Sequence, residues 1–151
     1  MDWGTLFSIV NGMAMVAWVA LILLPRWPAL LSAVLYAGVG LLCLIYSVCL
    51  IGVLSGAITT GDGGAGASFT TIEGVRAIFG SDAGVVIGWT HYLAFDLFAG
   101  LWIARDADQK GISRFIQAPI LLATFMAGPL GLFVWLLVRE PAARKLGRPG
   151  R

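Results

Sequence analysis

The chain has 151 residues, enough for one compact unit, with 59% apolar and 12% charged residues and a mean hydropathy of +0.90. Soluble domains carry about 25% charged residues, so a water-soluble fold of this size would have to expose its apolar excess, a conflict that a bilayer removes. The net charge of +2, with five of the ten basic residues in the last thirteen positions, excludes a nucleic-acid-binding patch.

The opening MDWGTLF lacks the basic n-region of a secretory signal, so the first apolar run reads as a retained helix. That run extends from about Thr5 to Leu24 and stops at Pro25-Arg26-Trp27-Pro28. The second, about Ala29 to Leu54, stops at a Gly-rich stretch; the third runs from about Ala83 to Ala104; the fourth, from about Phe115 to Val138, ends at Arg139-Glu140-Pro141. Crossing about 30 Å of hydrocarbon takes roughly 20 helical residues, and all four runs meet this. The expectation is an all-α integral membrane bundle of four transmembrane helices in one domain spanning residues 1–151. Pro129, in AGPLG, predicts a kink within the fourth helix, where Pro119 is a further interruption.

The connections are unequal. The first and third are short, so helices one and two, and helices three and four, should be antiparallel neighbours. The second, about Ser55 to Asp82, opens with the flexible TTGDGGAGAS and continues as FTTIEGVRAIFGSD. There Phe69, Ile72, Arg76 and Phe79 follow helical spacing, which predicts a short interfacial or re-entrant helix. Glu73 and Arg76 have i, i+3 spacing. Gly52/Gly56 and Gly80/Gly84/Gly88 are small-xxx-small patterns that suit close helix packing.

With four spans both termini share a side with the long loop. Six basic residues there (Arg76, Arg139, Arg144, Lys145, Arg148, Arg151) against four opposite (Arg26, Arg105, Lys110, Arg114) place the termini in the cytoplasm of a multi-pass inner-membrane protein. Cys43 and Cys49 lie six residues apart on one helix and point different ways, so no disulfide is expected.

The third run holds the concentrated polar signal. Asp96 is a carboxylate near the bilayer centre, where insertion costs roughly 2.5–3.5 kcal/mol, and such residues default to function. His91 is the sole histidine. At 100° per residue the two stand about 140° apart, so they cannot easily hydrogen-bond along one straight helix. A buried Asp can donate a proton and a neutral His accept one, so they are the candidate acid and base. Alternatively, Asp96 bonds Asn11, Thr124 or a backbone amide across helices, and His91 sits in the interfacial belt. Trp89, Phe95, Phe98 and Trp102, with Asn11 on the first helix, are candidates to line a groove for a long apolar ligand. Arg105 and Asp106 read as a stop signal and a local ion pair. One His with scattered carboxylates is no metal site, GDGGAG lacks the Lys-Ser/Thr of a phosphate loop, and no catalytic-serine or CxxC motif occurs, so no cofactor is expected.

GWTHYLAFDLFAGLWIARD, a short charged turn, then LLATFMAGPLGLFVWLLVR resembles the abscisic-acid-deficient-4-like (neoxanthin synthase-like) family. FSIVNGMAMVAWVALILLPRW is similar to that family's first helix, and together these cover roughly half the chain. With no transit segment, the chain looks like a bacterial-type member. The resemblance implies action on a carotenoid or other isoprenoid, since plant relatives are linked to converting violaxanthin to neoxanthin. That reaction opens an epoxide and removes a proton from carbon, and His91, Asp96, Arg105 and Asp106 are the matching candidates. The expected activity is an isomerase-type proton transfer; the alternatives are a non-enzymatic pigment-binding or assembly subunit, and a small transporter. Expected partners are the lipid bilayer, the isoprenoid ligand, and a second copy or a membrane-complex subunit.

Overall fold

A computed structural model describes residues 2–60 and 66–146. The centre of the Gly-rich linker (61–65), together with Arg148 and Arg151, lies outside the described residues. Among the described residues every regular element is helical.

Helix α1 (Trp3–Leu23) is capped by Asp2, whose carboxylate accepts from the backbone N–H groups of Gly4 and Thr5. It ends because Leu24, before Pro25, is driven into an extended conformation (φ −85°, ψ 157°). Pro28 then opens α2 (Pro28–Leu54) at its first position, where a missing N–H costs nothing. The stretch Val34–Gly40 of α2 is π-helical. A short helix, α3 (Ile72–Ile78), is capped by Thr71, and the long α4 (Asp82–Gln109) by Ser81. Phe69, expected on the face of α3, precedes it, and Glu73 and Arg76 do not form an ion pair. Gly84 fits under the Ile78 carbonyl and Gly88 against the Phe79 ring, so these glycines make the tight α3–α4 corner. Gly52 is covered by the Ile58 side chain of the following loop.

The core lies between α1, α2 and α4. Val10, Ala14, Leu21, Leu42, Leu97, Leu101 and Ala104 are buried there. Helices α1 and α4 run parallel: Asn11 meets Trp89, Trp18 covers Gly100, and Arg26 reaches Asp108. Helix α2 runs against both, with Gly38 at Leu97 and the Tyr46 ring 5.5 Å from His91. These three helices are long and apolar enough to cross a membrane. Their outer faces keep residues such as Val16, Leu23, Leu44 and Ile51 exposed, as a lipid environment requires.

The fourth apolar run departs from expectation. It forms two helices, α5 (Arg114–Met126) and α6 (Gly128–Leu146), and the chain doubles back between them at Ala127 (φ −155°, ψ 83°). The contacts with α4 fix the directions. Gln117 bonds Asp108, Gly128 abuts Asp96, and Trp135 and Arg139 return to Asp106. Helix α5 therefore descends beside α4 and α6 climbs back to the level where α5 began. Three features explain the reversal. Pro129 sits in the first turn of α6, where it is favoured, and does not kink a continuous rod. Gly128 leaves room for Asp96, and Gly131 lets α6 lie directly on Thr124, where any Cβ would overlap the backbone of α5. An arm of 13 residues is about 20 Å long, too short to cross the hydrocarbon core. The fourth apolar run, expected as a transmembrane span, is thus a helical hairpin whose two ends lie at the same end of the bundle. The two termini of the described chain consequently lie at opposite ends of the molecule, not on a shared side.

The hairpin base is fastened by charge. The Asp106 carboxylate accepts from Arg139 Nε at 2.7 Å, from Lys110 Nζ at 2.5 Å and from Trp135 Nε1 at 3.1 Å. Beside it, the buried Arg26 guanidinium donates to Asp108 at 3.1 Å, to the Leu21 carbonyl at 3.0 Å and to the Gln117 side chain. Burial pushes the Arg26 guanidinium below its usual value, and Asp108 opposes that shift. The expected pair of Arg105 with Asp106 does not form. Neighbours on a helix point about 100° apart, whereas Lys110 at i+4 lies on the same face. Arg105 is exposed elsewhere.

Candidate functional site

Asp96 stands midway along α4 and is half-buried. Its carboxylate packs directly against Gly128, the first residue of α6. The start of a helix carries the positive end of the helix dipole, so an anionic or polar oxygen is favoured there. Asp96 thus brings a carboxyl group from α4 to the start of α6. A Cβ at position 128 would collide with this carboxylate, which is why glycine stands there.

Around this contact opens a cavity of about 430 Å³. Asn11, Ala14 and Met15 of α1 form one wall, Trp89, Tyr92, Leu93 and Asp96 of α4 another, and residues 125–129 of the hairpin tip the third. Ala14 at its floor is buried, while Met15, Tyr92 and Met126 at its mouth are exposed, so the cavity opens sideways onto the apolar surface. Non-helical backbone at membrane depth is tolerated where it lines such a cavity or is covered by protein. The lining is largely aliphatic and aromatic, with the Asp96 carboxylate as its one charged group. Asn11 is engaged on both sides of its amide. Its Oδ1 accepts from Trp89 Nε1 at 3.0 Å and its Nδ2 donates to the Phe7 carbonyl at 2.7 Å.

The residues picked from sequence therefore separate into two sets. Asp96, Trp89 and Asn11 meet at the cavity. His91, Phe95, Phe98 and Trp102 occupy another face of α4 and are exposed. The His91 ring stacks at 4.6 Å from Phe95 and 5.5 Å from Tyr46, and touches the cavity wall only through Tyr92, at 6.3 Å. Trp102 lies beneath the Arg139 guanidinium, 5.5 Å from its ring centre, and so belongs to the hairpin base. Tyr92 was not among the site candidates read from sequence, and the hairpin tip was read there only as a kink at Pro129. The spacing of Tyr92 four residues before Asp96 was the available signal for the first, and the Gly-Pro pair in AGPLG for the second. Among the described residues no group of three or more His, Cys, Asp or Glu side chains is placed to hold a metal ion.

What the arrangement can do follows from its parts. One carboxylate, midway along α4 and reachable through the cavity mouth, can accept a hydrogen bond from a ligand or exchange a proton with it. Aromatic walls and two methionines can accommodate an apolar chain of varied shape.

The family model described as ABA DEFICIENT 4-like matches residues 5–135, a stretch that includes all but the first two residues of α1, all of α2 and α4, and the whole cavity lining. No curated protein and no solved structure matches the chain.

Proposed function

Because the chain belongs to the ABA DEFICIENT 4-like family, we propose that it is an integral membrane protein that takes a carotenoid or other isoprenoid into the cavity beside Asp96 and isomerises it by proton transfer. The observation that carries this reading is a lone carboxylate at the middle of a membrane-length helix, facing an apolar cavity that opens sideways. A lipid-soluble substrate reaches such a site without entering water.

An isomerisation returns the proton that it uses. Asp96 in its acid form gives a proton to a ligand oxygen. The carboxylate left behind then takes one from a ligand carbon, and the positive end of the α6 dipole, against which it packs, favours it meanwhile. A separate base is not required by this scheme. His91, stacked behind Tyr92, is the other candidate for that role. Expression in a carotenoid-producing host, with pigments resolved by chromatography, tests both. A new pigment is expected with the native chain and not with Asp96→Asn, while His91→Ala retains it. A pigment profile unchanged from the empty vector defeats the enzymatic reading.

A second reading is favoured by the cavity having one carboxylate and no histidine: a pigment-binding or assembly subunit without turnover. Mass spectrometry of the detergent-purified protein separates the two. Stoichiometric retention of an unaltered isoprenoid supports binding alone.

A further inference from the structure

We infer that the hairpin-base end of the molecule is the surface that meets the anionic headgroups of the cytoplasmic leaflet, so that the chain crosses three times with its N-terminus outside and the end of α6 inside. This rests on the protein being membrane-integral and is independent of what the cavity binds.

The hairpin changes the charge count. Because α6 returns to the level where α5 begins, Arg139 and Arg144 join Arg26, Arg105, Lys110 and Arg114 at one end. At the other end, the described residues carry one basic side chain, Arg76, together with Asp2, Glu73 and Asp82. Six against one is a decisive asymmetry for a rule that counts Lys and Arg close to the membrane ends, where acidic residues contribute little. A continuous fourth span would have spread these charges almost evenly.

The same end is dressed for an interface. Trp27 and Phe115 are exposed there, Phe115 at 92%, beside the exposed Arg105 and Arg114. Arg114 is held in place by donating to the Leu24 carbonyl at 2.9 Å, so one face of its guanidinium is anchored at the headgroup level. Exposed rings with free or half-engaged guanidinium groups suit an anionic lipid surface, to which each basic residue near it adds attraction. Arg26, Lys110 and Arg139 are spent on internal carboxylates, so Arg105 and Arg114 are the groups that face the lipid.

Thiol labelling in intact cells tests this. With Cys43 and Cys49 replaced by Ala, single cysteines are introduced by Ala57→Cys, Gln109→Cys and Arg144→Cys. A membrane-impermeant maleimide should label the first strongly and fail to label the other two until the membrane is permeabilised. Labelling at 109 and 144 but not at 57 would overturn the orientation. Labelling at 144 together with 57 would overturn the hairpin and restore a fourth crossing. Retention of each variant in alkaline-washed membranes is scored in parallel, so that failure of the membrane reading is told apart from failure of the topology.

Discussion

The two ends of the hairpin are built on opposite plans, and the two carboxylates of α4 that meet them show the contrast. At the base, Asp106 is saturated: two cations and an indole N–H converge on it, and Arg26 ties the neighbouring Asp108 and Gln117 to α1. At the tip, Asp96 packs against the Gly128 backbone, and its surroundings are an apolar cavity with exposed methionines at the mouth. The base fixes where the hairpin stands. The tip, held by close contacts of small residues, is the part with room for a guest. The anchoring carboxylate and the candidate site carboxylate are thus separated by ten residues of one helix, a distinction that residue type alone does not reveal.

The contrast can be broken from either side. Asp106→Ala strands Arg139 and Trp135 and should produce the largest loss, roughly 3 kcal/mol, read as a fall in thermal midpoint in detergent. An unchanged midpoint would mean that the base is not the anchor. Gly128→Ala forces the Asp96 carboxylate off the helix start, and the overlap should cost about 2 kcal/mol while sharply reducing ligand retention. Asp96→Ala should cost about 1 kcal/mol by removing the side chain that packs on Gly128, whereas Asp96→Asn keeps its shape and should stay close to the native midpoint. Both variants should lose turnover, so equal stability with unequal activity in Asp96→Asn isolates chemistry from folding. Arg105→Ala should shift stability by less than about 0.5 kcal/mol, since its guanidinium pairs with no carboxylate among the described residues; a drop comparable to that of Asp106→Ala would contradict the pairing seen here.

Much of this was legible in the sequence. Length and hydropathy located α1, α2 and α4, and the Pro25–Pro28 stop and the short α3 fell where turn and helix signals put them. Asp96 was legible as an intramembrane carboxylate because lipid makes such residues costly. Its neighbour was not, because the glycine at the start of another helix has no side chain to announce the contact. The hairpin was hidden for a related reason: an apolar run long enough to cross has the same composition whether it crosses or folds back. The information lay in Gly128, Pro129 and Gly131, which read equally as a kink, and in Arg139, whose partner Asp106 is 33 residues away. His91 and Asp96 were set 140° apart by helical geometry, and the structure keeps them on different faces of α4.

The doubling-back at Ala127 also bears on how the chain is made. On the proposed topology the hairpin ends at the side where it starts, so once α4 is in place the described charged residues of its two arms, Arg114, Arg139, Glu140 and Arg144, need not be pushed through the bilayer. The last third of the protein can therefore be added after synthesis of the first three rods, sliding in beside a finished scaffold with its charged ends left behind in water. Biogenesis then reduces to threading α1, α2 and α4, with the cavity completed as the last event of assembly.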